Sequence, residues 1–520
     1  MRKRSAASIQ IRTLSVFLAV GLGFAMGAPA QAGTVWIVDS AGDGDDSQVG
    51  DGACATGSGG CTLRAAIQEA NAHPGPDTIL FAIGSGVQTI AVGAPLPTII
   101  DPVTIDGTTQ PGFAGTPIVV VNGSGAGHNV TGITITAGGS TLRGLVVNGF
   151  DGDGVELHGG GGNVMEGSYI GLDVTGTTGA GNGGCGLLID DSPDNRIGGT
   201  SPTQRNLISG NTGKGNGGGI KISGAGGNVI QGNFIGTDVT GTQGLGNQGR
   251  GIAISGSSNN LIGGAVPGAG NLISANRATG VRMLGGSNGN VVQANLIGTD
   301  RTGMRVLGND RGVQIRSGND NQVLGNLIAG QRNDGVLIFE SSANNLVQGN
   351  IIAFNGYGPA ADIAEAGYSG VWVLQGSGNR VLSNSIFGNA RLGIHLGAGY
   401  DVTPNDPGDG DAGANGLQNF PTLTSATLSP GATTTISGAL NSAAGGTFLI
   451  EVFANLQCDA SGHGEGLFPI GQMTATANGA GDVSFSVPLG LAIPVGWVVT
   501  ATATDAGGNT SEFSPCATVR

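Results

Sequence analysis

A four-residue pattern, Gly-apolar-x-apolar, recurs ten times along the chain and sets what the chain can fold into. It starts at Gly132, Gly154, Gly186, Gly219, Gly251, Gly280, Gly312, Gly335, Gly370 and Gly393, at intervals of 22 to 35 residues. A short unit recurring in this way is the mark of a repeat architecture. The short interval reads as one bare coil, and the longer ones as a coil carrying a loop. Two more short strands fit each unit, in segments such as Asn206–Asn211, Asn228–Asn233, Asn290–Asn295 and Asn345–Asn350. Three short strands per coil, joined by Gly, Asn and Ser, describe a parallel β-helix. Ile, Val and Leu would face inward. Asn recurs at the turns because it tolerates left-handed backbone and its amide can pair with the Asn one coil away. About ten coils at about 4.8 Å make a rod on the order of 50 Å long.

Composition agrees with this and removes alternatives. Gly supplies 104 of 520 residues, which rules out long helices because each interior Gly costs about 1 kcal/mol. Collagen is excluded by the absence of a three-residue period. With 38% hydrophobic residues in alternating runs, disorder is excluded too.

Residues 1–32 read as a signal peptide: Arg2, Lys3, Arg4 and Arg12, an apolar stretch from Leu14 to Met26, and the cleavage site Ala30-Gln31-Ala32. Without them the chain has 17 Lys+Arg against 35 Asp+Glu, a net charge of −18. That balance excludes nucleic acid as a partner and favours cations, neutral sugars or basic surfaces. No other stretch approaches 18 apolar residues, so no membrane span is expected after cleavage. Five cysteines suit an oxidising compartment. Cys54 with Cys61 and Cys458 with Cys516 are expected as two local staples, leaving Cys185 as a buried thiol. The protein is expected outside the cell, at its surface or in the periplasm.

The loops alternate as well. Ile170 to Thr177 recurs at Ile235 to Thr242 and at Ile297 to Gly303, a two-coil super-repeat. Its Asp173, Asp238 and Asp300 are expected to form turns by bonding their own loop backbone. A helix from Thr62 to Ala72 is expected to cover the front end, with Thr62 as N-cap and Leu63, Ala66, Ile67 and Ala70 on one face. The expected organisation is a capping region with the first coils over 33–130 and repeats over 131–399. An acidic linker over 400–420 and an antiparallel β-sandwich over 421–520 follow.

The segment from Cys61 to Asn71, CTLRAAIQEAN, resembles the CSLREA domain of secreted bacterial right-handed β-helix proteins, departing from it at Thr62 and Ala65. The IDGTTQPG run at 105–112, the IGTD loops, and the Gln418–Pro421 and Ser511–Ser514 segments are similar to the same proteins. The resemblance implies a right-handed parallel β-helix and export. It leaves function open, because the wider fold carries lyases, hydrolases, epimerases and adhesins.

Candidate chemistry therefore has to come from outward positions. The x residue of each unit should point outward, giving Thr134, Glu156, Leu188, Lys221, Ala253, Arg282, Gln314, Leu337, Trp372 and His395. The column beside it includes His158, Asp190, Arg316, Phe339 and Leu374. One reading is a polysaccharide groove over 282–395. There Phe339 and Trp372 stack on sugars, Arg282 and Arg316 pair with uronate carboxylates, and Gln314 and His395 bind the substrate beside them. Asp310, Asp334 and Glu340 supply the acid and base of a lyase or glycoside hydrolase. The other reading is that the sandwich or the Tyr357–Tyr368 loop packs over this face. His158 and Glu156 read as a solvated surface pair. Asp406, Asp409 and Asp411 form the candidate calcium site, or else a solvated acidic linker. Two functions stand: a protein that binds, or binds and cleaves, extracellular polysaccharide, and a non-catalytic adhesin or surface structural module.

Overall fold

The computed structural model describes residues 33–213, 217–358, 368–429 and 433–520. The expected signal peptide lies outside these residues, as does most of the Tyr357–Tyr368 segment. The fold is a right-handed parallel β-helix followed by antiparallel sheets. Each coil visits three parallel sheets in turn. Sheet one has twelve strands, from Val35–Val38 to Arg380–Leu382. Sheet two has eleven, from Gln88–Ala91 to Ser385–Phe387, and sheet three has ten, from Ile133–Ile135 to Ile394–Leu396. The strands of sheet three are the recurring apolar-x-apolar units, paired in the register the repeat demands. Leu187, Leu188 and Ile189 lie opposite Ile220, Lys221 and Ile222, and these lie opposite Ile252, Ala253 and Ile254.

One continuous core runs the length of the rod, stacking Ile, Val and Leu from every coil. At the corners the buried asparagines form ladders. Each Asn Oδ1 accepts from the backbone N–H and the Nδ2 of the Asn one coil before it. Asn228, Asn260 and Asn290 do so at one corner, in a run that starts from Asn195, and Asn233 and Asn271 at the next, in a run that starts from Asn206. Every rung thus satisfies buried polar groups that would otherwise be costly. Gln331 takes one rung of the third ladder, between Asn309 and Asn355.

The IGTD loops fold back over the outer face of sheet two. Tyr169, Leu207, Phe234 and Leu272 on that face pack with Val174 and Val239 of the loops in a second apolar layer. Asp173 accepts from the Thr175 hydroxyl and from the N–H of Thr177 and Thr178, and Asp238 does the same one super-repeat on. These carboxylates shape turns.

The two ends are closed differently. At the front, the helix Leu63–Ala72 is capped by Thr62, whose hydroxyl accepts from Ala65 N–H, and lays Leu63, Ala66, Ile67 and Ala70 on the core. The polar residues of the same segment pin loops. Arg64 pairs with Asp43 at 2.8 Å and donates to Ala94 and Pro95 carbonyls, Glu69 accepts from Gly50 and Gly52, and Asn71 holds Thr98 and Ile100.

At the back sits the sandwich, a three-stranded sheet (Thr422–Ser429, Thr433–Asn441, Asp482–Leu489) on a four-stranded one. It puts Phe453 and Phe513 into the rod's core and offers three carboxylates to the last coil. Glu451 accepts from Ser383 N–H and hydroxyl, Glu465 from Gly388 and Asn389, and Glu512 from Leu396 and Thr403. Glu465 also accepts from Asn389 Nδ2 at 2.9 Å, so it stands where the next asparagine of the ladder would be. Burial raises all three carboxyls, Glu512 to about 7, although their hydrogen bonds act the other way.

Cys54–Cys61 and Cys458–Cys516 are disulfides, and Cys185 is a buried free thiol whose pKa is pushed up to about 12 by that burial. No helix among the described residues is long and apolar enough to cross a membrane.

Candidate functional site

The outward column of sheet three divides into two halves. In the half over 282–395, where an open groove was one expectation, six of the nine candidates are buried: Asp310, Gln314, Asp334, Phe339, Trp372 and His395. Phe339 and Trp372 join Leu337 and Leu374 in a small apolar cluster of their own, and Leu337 is 0% exposed. Trp372 donates to Gly397 O and stacks on His395 with ring centroids 5.2 Å apart. Burial pulls the His395 imidazole down to about 4, so it stays neutral. These rings therefore offer no face to a sugar.

The acid–base pair expected from Asp310 and Asp334 is also corrected. Both carboxylates turn onto buried Arg311, at 3.6 and 3.4 Å, and Asp334 accepts from Ser369 N–H. Glu340 stays at the surface, bound to Arg316 at 2.5 Å, with the Arg316 guanidinium 5.5 Å from the Phe339 ring centroid. The Arg316 hydrogen bond holds Glu340 below the usual carboxylate range, which is wrong for a proton donor. Arg282 lies half-buried in the same column.

The other half, over 134–221, is polar and reachable. Thr134, Glu156, Leu188 and Lys221 occupy successive rungs of one column, with His158 and Asp190 opposite each other in the column beside it. His158 Nδ1 lies 3.2 Å from Asp190, with the two side chains 50% and 38% exposed. Glu156 is half-buried and 3.4 Å from the Thr134 hydroxyl. Desolvation first, and the charge of Asp153 second, raise its carboxyl above the usual range. A carboxyl that keeps its proton longer, beside an imidazole oriented by a carboxylate, is an arrangement for moving protons. The sequence placed Glu156 and His158 on one face. It did not show that Asp153 would crowd Glu156 or that Asp190 would meet the ring.

The candidate cation residues do come together. One carboxylate oxygen each from Asp406, Asp409 and Asp411 lies within 4.8 Å of the others. Two of them also hold the loop: Asp406 accepts from Gly410 N–H, and Asp409 from Asn419 N–H and the Ser442 hydroxyl. Desolvation raises Asp409 and Asp411, and neighbouring carboxylates add to it.

Residues 234–405 match the family described as right handed beta helix region. Among curated proteins, none matches the chain in sequence. Several solved structures are similar. The A-module of the Azotobacter vinelandii mannuronan C-5 epimerase AlgE4 is 16% identical, covering 66% of this chain and 96% of its own, with a TM-score of 0.40. The Dettilon tailspike protein is 15% identical over 82% of this chain and 89% of its own, at 0.43. Pectate lyase Pel9A is 15% identical over 69% and 78%, at 0.32.

Proposed function

We propose that this is an exported protein that binds extracellular polysaccharide across the polar half of sheet three and cleaves it there. The observation that carries the reading is Glu156, half-buried and raised, beside the His158–Asp190 pair on a face that solvent reaches. Glu156 is the proton donor to the leaving oxygen. His158, oriented by Asp190, takes the proton given up by the attacking water as the glycosidic bond breaks. Lys221, two rungs from Glu156, faces a substrate carboxylate. A flat ladder with a rung every 4.8 Å or so suits an extended polymer better than a compact ligand. The two disulfides and the likeness of Cys61–Asn71 to the CSLREA segment support the export part of the reading. In the same reading calcium is held by Asp406, Asp409 and Asp411, and a melting temperature that does not change on chelation would remove it.

The test is to incubate the protein with anionic and neutral polysaccharides and follow new reducing ends and absorbance near 235 nm. Products that vanish in Glu156→Gln support cleavage at this site. Binding without products reduces the proposal to a polysaccharide-binding protein. Neither binding nor products favours the adhesin or structural reading. The burial of Asp334, Phe339 and Trp372 already lends weight to that alternative, because it removes one whole groove.

A further inference from the structure

On the side of the rod away from sheet three, the corner between sheets one and two contains a cleft of about 370 Å³. Its shape follows from loop lengths. Two successive coils turn this corner tightly, through Gly144 between Thr141–Arg143 and Leu145–Asn148, and through Gly167 and Ser168 before Tyr169–Ile170. Their neighbours on either side carry long inserts, 107–118 and 199–206. Two short corners between two long ones leave a notch. Gly144 and Gly167 have φ of +69° and +61°, and a Cβ on them would stand 2.7 Å from Thr108 Cγ2 and 2.8 Å from Thr203 O. Only glycine lets the inserts close in as walls.

The groups around the notch are unlike the rest of a chain with net charge −14. Arg143 is bound to Asp106 at 2.5 Å, and Arg196 to Glu166 at 2.8 Å, so these two pairs cancel. Arg205 has no carboxylate partner among the described residues. Its guanidinium lies 4.1 Å from the Phe234 ring centroid, and its Nε donates to Gly232 O. Burial and the nearby positive charge of Arg301 both act against its protonated form. Tyr169 lines the cleft, is only 6% exposed, and its hydroxyl makes no hydrogen bond to any described residue. A phenol whose hydroxyl opens into the cleft, on the same lining as a guanidinium without a carboxylate, is a site prepared for an acceptor that carries negative charge.

We propose that this corner cleft binds an acidic sugar unit of a glycan, its anionic group on Arg205 and its hydroxyls on Tyr169 and Glu166. The volume is that of a small-ligand site. The choice of a sugar rests on the polysaccharide reading above; the preference for an anion rests on Arg205 and Tyr169 alone. The cleft and the sheet-three face lie on different sides of the coil, so each can fail without the other.

The experiment is calorimetric titration of the intact protein with trigalacturonate, a sulfated trisaccharide, inorganic sulfate and cellotriose. Expected are saturable binding of at least one acidic trisaccharide and none of cellotriose. Arg205→Gln and Tyr169→Phe should each weaken it by about tenfold or more, the loss of one charge-assisted contact. His128→Ala, at a side chain 99% exposed and outside both sites, should leave it unchanged. Tyr169→Phe keeps the ring packed, so it tests the site even if Arg205→Gln fails to fold. Equal binding of cellotriose, or acidic binding unchanged in Tyr169→Phe, overturns the proposal. Inorganic sulfate binding as tightly as the trisaccharides overturns the sugar. Loss of cleft binding in Glu156→Gln places the ligand on sheet three and overturns the cleft.

Discussion

The two halves of the sheet-three column share one backbone and differ in what happens to their outward side chains. Over 134–221 the column is Thr, Glu, Leu and Lys with a His–Asp pair beside it, and solvent reaches it. Over 314–395 it is Gln, Leu, Trp and His, and all four are buried. The lesson is that in a β-helix the register decides direction and nothing more. A side chain pointing away from the core becomes either a surface or a second core, according to its own chemistry.

The largest expected contrast is in stability. Phe339→Ala or Trp372→Ala should cost about 3–5 kcal/mol, because each empties a packed site. Asp334→Ala, which takes a carboxylate from buried Arg311, should cost about 3 kcal/mol or more. Chemical unfolding measures all three. If they are neutral, the covered half is not a second core. Glu156→Gln should change stability by less than about 0.5 kcal/mol and lower cleavage by about a hundredfold or more, read from reducing ends. A full loss of stability with no loss of turnover would reverse the roles of the halves.

The pH profile gives a smaller and directional contrast. Glu156 must be protonated to donate, so turnover should fall as pH rises through its raised pKa, and Asp153→Asn should shift that fall to lower pH. Arg316→Ala breaks an exposed ion pair and a contact with the Phe339 ring and should cost about 1 kcal/mol, measured by melting temperature.

Much of this was legible from the residues. Gly-apolar-x-apolar strands, paired in register, and asparagines bonding one coil away can be read directly, because both recur once in every coil. The helix at Leu63–Ala72 was legible from its cap and apolar face. The site was less so. Alternation marked Phe339 and Trp372 as outward but could not mark them as covered. Asp310 and Asp334 looked like surface acids because their partner, Arg311, sits between them in sequence with no period to flag it. The Arg205–Tyr169 cleft was invisible, because its walls come from inserts on non-adjacent coils. Glu451, Glu465 and Glu512 lie in the sandwich with no local signal that they would reach the rod.

The sandwich end carries one more pH effect. Glu512 moves from an ordinary 4.5 to about 7 on folding. Below 4.5 it is protonated in both states, and between these values only the folded protein keeps the proton. Stability should therefore decline as pH rises from about 4.5 to 7, and Glu512→Gln should flatten that slope in melting curves.

The asparagine ladders give the rod a polarity. Along the ladders the amides hand their hydrogens forward, toward the sandwich, so one extremity finishes in donors and the other begins with acceptors. Glu465 closes the donor extremity of one ladder as a last rung that accepts and never passes on, and Asn415 accepts from Asn379 at the end of another. The ends are thus not interchangeable, yet the interior is modular. A coil duplicated between Gly312 and Gly335 would meet the same hydrogen-bonding pattern above and below. Length is a count of rungs that can change while both closures stay as they are.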